Sequence, residues 1–96
     1  MDIRDYIGSV LNFPKEGVDF KDITLLLRNP KAFQHVVKSM SEFVEAQNAS
    51  VIVAPEARGF LFASAVAFHS GLPLVLVRKP GKLPREVHQI EYSLEY

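Results

Sequence analysis

Residues 51–77 read VIVAPEARGFLFASAVAFHSGLPLVLV, and this stretch decides the fold. Val51-Ile52-Val53-Ala54 is a short β-branched run, the pattern of a buried strand. Pro55 to Gly59 reads as a loop. Phe60 to Ser70 is almost wholly apolar and is followed by Gly71, which predicts a helix closed by a glycine. Pro73 to Val77 predicts a second buried strand. Strand, helix and strand in such quick succession point to a right-handed βαβ unit in a parallel sheet, hence to an α/β fold.

Toward the N-terminus, Ile3, Ile7, Val10 and Leu11 recur at helical spacing and predict a short amphipathic helix over residues 2–11. Asn12-Phe13-Pro14-Lys15-Glu16-Gly17 breaks it, with a turn at Gly17. The run Phe13 to Asp22 reads as a long loop. A short helical turn capped by Asp22 is expected over Asp22 to Leu27. Asn29 then serves as N-cap, Pro30 as first helical residue, and Phe33, Val36, Val37, Met40, Phe43 and Val44 mark one face of a helix over 30–46. Toward the C-terminus, Arg78 to Gln89 is a basic loop rich in Pro and Gly. Ile90, Tyr92, Leu94 and Tyr96 alternate with polar residues, a period-two strand pattern. The alternation runs to the last residue, so the end reads as a cut or as a fold completed by another chain. The whole, 1–96, reads as one part of a single domain, with segments 2–46, 51–77 and 78–96.

Composition narrows the function. The chain has 96 residues, 48% hydrophobic and 23% charged, a globular balance. A chain of this size buries only about 60–70% of its unfolded surface, so stability is limited. Lys plus Arg equals Asp plus Glu at 11 each, which argues against a nucleic-acid partner. There is no cysteine, which excludes disulfides and thiolate metal sites. No signal peptide precedes the first helix, and Phe60 to Phe68 is too short to span a bilayer, so a cytoplasmic protein without membrane contact is expected.

Three segments could carry chemistry. Pro55-Glu56-Ala57-Arg58-Gly59-Phe60 follows a predicted strand and opens a predicted helix, a place where anions bind. Arg58 is unfavourable at a helix N-terminus unless an anion sits there too. The plainer alternative pairs Arg58 with Glu56 or leaves it in solvent. Arg78-Lys79-Pro80-Gly81-Lys82-Leu83-Pro84-Arg85 begins at the carboxyl end of the second strand, on the same sheet edge. It reads as a basic lid over a polyanion, or as a solvated charged loop. RNA is the weaker reading of these cations, because no aromatic residues are interleaved with them. In the third segment, Phe20 could stack on a flat ring, or Phe13 and Phe20 could pin the loop to the core. His35, His69 and His88 share no metal-ligand spacing, and no Walker-type loop or Gly-x-Ser-x-Gly is present. Glu91 and Glu95 are explained by exposed alternation alone.

Taken in order, Phe13-Pro14-Lys15 through Phe20-Lys21-Asp22-Ile23-Thr24, Glu56-Ala57-Arg58-Gly59-Phe60-Leu61, Arg78-Lys79-Pro80-Gly81-Lys82-Leu83-Pro84 and Tyr92-Ser93-Leu94-Glu95-Tyr96 resemble the adenine phosphoribosyltransferase family. The resemblance covers nearly the whole chain and corresponds to the N-terminal part of that family. It implies a type I phosphoribosyltransferase-like parallel sheet flanked by helices and incomplete at its C-terminal side. It also implies a homodimer and a reaction in which adenine and phosphoribosyl pyrophosphate give AMP and pyrophosphate, with Mg²⁺ bound through phosphoribosyl pyrophosphate.

By the same resemblance, adenine lies on Val18, Asp19, Phe20 and Lys21, with Phe20 stacking on the ring. Glu56, Ala57, Arg58, Arg78, Lys79 and Lys82 face pyrophosphate, with Glu56-Ala57 a strained or cis peptide. Arg58 and Glu95 are the catalytic residues, Glu95 assisting proton transfer at the purine. Glu16 stands where the family often has Pro. The family's phosphoribosyl-pyrophosphate loop, an acidic pair followed by a Thr-rich turn, is absent, so this chain alone is expected to be inactive. The alternative from another class is a non-catalytic purine- or nucleotide-binding regulatory module built on half of the fold.

Overall fold

The computed structural model describes residues 1–91, and they form two compact units, residues 1–36 with 89–91 and residues 37–88. In the first, Asp2 accepts hydrogen bonds from both the backbone and the guanidinium of Arg4 and starts a single 3-10 turn, Ile3–Tyr6. The chain then extends into β1, Gly8–Leu11, which pairs antiparallel with β2, Asp19–Asp22. This corrects the expected helix over 2–11 and the reading of 13–22 as all loop. Gly8, Ser9 and Val10 are poor helix formers, and pairing with β2 satisfies backbone groups that a marginal helix would have had to satisfy alone. The registers are Gly8 with Asp22 and Val10 with Phe20.

The hairpin is closed by a turn with two left-handed residues, Asn12 at φ 57° and Gly17 at φ 88°. The Asn12 side chain accepts from the Gly17 amide at 3.0 Å, and the Phe13 amide donates to the Val18 carbonyl at 3.2 Å. Helix α1, Thr24–Arg28, follows at once. The helix starts two residues later than expected, so the N-cap position falls on Ile23, which makes no side-chain cap bond, while Asp22 accepts from both the amide and the hydroxyl of Thr24 just ahead of it. Leu26 of α1 is 2% exposed.

Helix α2 spans Pro30–Ala46 as expected, and the Asn29 side chain caps it by accepting from the Ala32 amide at 3.0 Å. Its buried residues are Ala32, Val36, Val37 and Ser41, while Met40 and Phe43 are 42% and 66% exposed. The expected apolar face is therefore only half covered. In the second unit β3, Ile52–Pro55, pairs parallel with β4, Leu74–Val77, through α3, Arg58–Ser70. Gly71 ends α3 at φ 70°, its amide returning to the Ala67 carbonyl. This is the βαβ unit read from the sequence, except that α3 begins two residues earlier and takes Arg58 and Gly59 out of the loop.

Alternation sorts the faces of this sheet. Ala54 is 2% exposed, whereas its neighbour Val53 and the paired Val75 are 58% and 49% exposed. An open apolar cleft of about 530 Å³ is lined by Met40, Phe43 and Val44 of α2, Val53 of β3, and Phe62 and Val66 of α3. Among the described residues no helix is long and apolar enough to cross a membrane.

Gly59 is where α3 and β3 meet most closely. A Cβ there would lie 3.1 Å from Pro55 Cδ and 3.8 Å from Ala54 Cβ. Gly→Ala in a helix ordinarily stabilises by about 1 kcal/mol, but overpacking costs about 1–3 kcal/mol. Gly59→Ala is therefore expected to lower stability by roughly 1 kcal/mol. A raised urea midpoint would show instead that the Pro55 ring gives way.

Candidate functional site

The parallel register fixes one set of site residues. Pro55 stands opposite Val77, and the Glu56 amide donates to the Val77 carbonyl at 2.9 Å. The chain therefore leaves the sheet at Glu56 on one strand and at Arg78 on the other, side by side. Between Glu56 and α3 lies one residue, Ala57, and the Glu56-Ala57 peptide is cis. Ala57 precedes the helix with no side-chain cap, and its carbonyl accepts from the Phe60 amide at 3.1 Å. Arg58 is the first helical residue and is exposed.

Glu56 ties the edge together. Its carboxylate accepts from the backbone amide of Lys79 and lies 3.6 Å from Arg78 Nε. The Arg78 guanidinium also sits 6.0 Å from the centre of the Phe60 ring. Lys82 follows in a turn at Gly81, φ 81°, its amide donating to the Lys79 carbonyl at 3.2 Å. No regular element is formed from Arg78 to Glu91, in line with the expected basic loop. Of the expected pyrophosphate set, Glu56, Arg78 and Lys79 are thus brought into direct contact.

The Lys79 amide holds the Glu56 carboxyl below its usual value against an opposing push from burial, with lesser help from the charges of Arg78, Lys79 and Lys82. A carboxylate whose folded value is depressed contributes stability above its unfolded value, and that contribution is lost as pH falls through the folded value. The unfolded value is about 4.5. Exchange protection of the Lys79 amide, corrected for intrinsic rates, is therefore expected to hold unchanged down to that pH and to fall only below it. Protection lost already near neutrality would mean that the bond does not depend on the carboxylate.

In the first unit, the expected adenine residues lie on one hairpin strand and its approach. Val18 is 4% exposed, and its carbonyl is taken by Phe13. Phe20 and Phe13 pack edge to face, with ring centres 5.2 Å apart and planes at 78°. This gives weight to the pinning role weighed for the pair, although Phe13 remains 49% exposed. Lys21 Nζ meets the Asp19 carboxylate at 2.9 Å and the Ser9 hydroxyl at 3.1 Å. Among the described residues β2 pairs with β1 alone. Glu95 and the alternating strand beyond Glu91 lie outside the described residues, and Gln89 to Glu91 are not in a strand.

The role of the Glu56 side chain was missed from sequence, where Arg58 was its weighed partner. The signal was present in the register: once Val51 to Ala54 and Pro73 to Val77 pair in parallel, the residues that follow each strand are neighbours. Among the described residues no three His, Asp or Glu side chains converge to hold a metal ion.

No protein-family model matches the chain. An adenine phosphoribosyltransferase of Mesoplasma florum is 59% identical over all 96 residues, which span 56% of that relative. The crystal structure of adenine phosphoribosyltransferase from Thermoanaerobacter pseudethanolicus superposes with a TM-score of 0.91 at 46% identity, over 98% of this chain and 55% of that one. The enzyme from Saccharomyces cerevisiae, solved with an imino-altritol bisphosphate and adenine, gives 0.81 at 36% identity, over 88% and 52%. The chain spans about half the length of the relatives it matches. Over its own length it is similar to adenine phosphoribosyltransferases in sequence and in α/β fold.

Proposed function

We propose, from that likeness, that the protein acts in purine salvage, transferring the phosphoribosyl group of phosphoribosyl pyrophosphate to adenine and giving AMP and pyrophosphate. The carrying observation is identity of 59% sustained over all 96 residues, the anion-facing and ring-facing segments included. Adenine is to lie against Phe20, with its edge read by backbone groups of Asp19 and Lys21 on β2. A mismatched purine would leave such buried polar groups unpaired, which is how the site would reject hypoxanthine. Pyrophosphate is to be held by Arg58 at the start of α3, with Arg78, Lys79 and Lys82 neutralising the charge that grows as it leaves. Mg²⁺ is proposed to arrive on the diphosphate oxygens, where it would supply further positive charge; no cage of this chain's own residues is assigned to it.

The proton transfer at the purine is assigned to Glu95 on family likeness alone. Normal turnover of Glu95→Gln would reassign that residue to loop structure. A homodimer and a cytoplasmic location belong to the same reading. A monomeric mass in sedimentation, or recovery with membranes, would count against them.

The direct test is conversion of labelled adenine to AMP with phosphoribosyl pyrophosphate and Mg²⁺. It is run on the 96-residue chain and on this chain joined to the remaining part of the Mesoplasma florum relative. No product is expected from the first and AMP from the second. A joined enzyme that binds phosphoribosyl pyrophosphate but forms no AMP would sink the proposal.

A further inference from the structure

We propose that the Glu56 side chain is a positioning residue, which holds Arg78 and the start of the basic loop in the geometry that receives a diphosphate. This rests on the reading that this sheet edge binds pyrophosphate, and it adds a role for a carboxylate that would otherwise repel that ligand.

The geometry argues for positioning over repulsion. The Glu56 side chain is only 15% exposed, and its Oε1 atom is already engaged by the Lys79 amide and by Arg78. The carboxylate approaches Arg78 from its Nε side. The two terminal nitrogens, which form the fork that chelates phosphate oxygens, carry no hydrogen bond to other described residues. The face of Phe60 meets the same guanidinium from another direction. A side chain with many rotamers is thus confined before any ligand arrives, so less freedom is lost on binding. The Lys79 amide is confined by the same atom, and the loop leaves the sheet in one direction.

Reach and charge can be separated. Glu56→Gln keeps an oxygen at the same distance from the backbone and removes the charge. Glu56→Asp keeps the charge and draws it back by one methylene. Each variant is titrated with inorganic pyrophosphate, and exchange of the Lys79 amide is followed in parallel. Glu56→Gln, which keeps the acceptor oxygen but loses its charge, is expected to keep part of the protection and to bind within about twofold of wild type. Glu56→Asp is expected to lose the protection and to bind about three- to tenfold more weakly, the range of one lost net hydrogen bond. A purely electrostatic role predicts the reverse order, with Asp like wild type and Gln clearly tighter, and that result overturns the inference. If the wild-type protein itself takes up no pyrophosphate, the functional reading of the edge fails instead.

Discussion

Arg58→Ala is expected to weaken pyrophosphate binding and to lower kcat/KM of the extended enzyme by about 10- to 100-fold, while leaving the folded state nearly as stable as before. The two halves of that expectation come from one location. Arg58 is exposed at the first position of α3, where helix and side chain both present positive charge. A cation there is disfavoured by about 0.3–1 kcal/mol, so its removal from the free protein releases some repulsion as well as losing its local contacts. Surface changes of this kind usually stay within about 0.5 kcal/mol. With a diphosphate bound, the sign reverses. Hydrogen bonds to a charged group contribute about 1.5–3 kcal/mol, which sets the size of the loss. Arg58→Lys should fall between, because an ammonium supplies charge without the planar fork. Unchanged pyrophosphate affinity, by calorimetric titration, would remove Arg58 from the site. A large fall in stability with unchanged affinity would make it a structural residue.

The parts of this fold that were legible are those in which local chemistry and tertiary packing agree. The run from Val51 to Val77 could be read because its apolar residues come in uninterrupted blocks, punctuated by Pro55, Gly71 and Pro73. Helix α2 could be read at both ends, because Asn29 and Pro30 make a start that needs nothing from the rest of the chain. The hairpin could not. In β1, Gly8-Ser9-Val10-Leu11 offers two apolar residues that also complete a helical spacing with Ile3 and Ile7. In β2, Asp19-Phe20-Lys21-Asp22 offers one apolar residue among three charges. Each strand exists because the other is there, and pairing across the intervening turn leaves no periodic trace.

The site divides the same way. The residues that the motifs singled out do lie at the strand ends, because turns and helix starts are written locally. Which carboxylate meets which cation was a question of register. Glu56 had Arg58 two residues away in sequence, yet it meets Arg78 and Lys79, which only the pairing of Pro55 with Val77 brings near. The half-exposed Met40 and Phe43 carry the same lesson from the other side. Periodicity marked them as apolar-facing, and they do face an apolar cleft, but periodicity says nothing of how far that cleft is filled.

The second large effect is expected at Leu26. It is 2% exposed, the largest wholly enclosed side chain among the described residues, and it belongs to a helix of only five residues, Thr24–Arg28. So short a helix has no stability of its own, since nucleation alone is unfavourable for isolated segments of this length. Two things fix it: the bonds that Asp22 accepts from Thr24 at its start and the burial of Leu26. Leu→Ala at an enclosed site costs about 2–5 kcal/mol, the transfer term plus the cavity left behind. Small domains have only about 5–15 kcal/mol in total, so Leu26→Ala should consume a large share and lower the melting temperature by about 10 °C or more. Asp22→Ala should act in the same direction through the lost bonds to Thr24, by about 1 kcal/mol. Because Asp22 also ends β2, the double variant is expected to lose more than either single change and to loosen the hairpin that carries Phe20. Urea unfolding followed by far-ultraviolet circular dichroism reads the stability, and amide exchange along Asp19–Asp22 reads the hairpin. A loss at Leu26 of less than about 1 kcal/mol would mean that the site collapses around the smaller side chain. Undisturbed exchange on β2 would separate the helix from the strand that it follows.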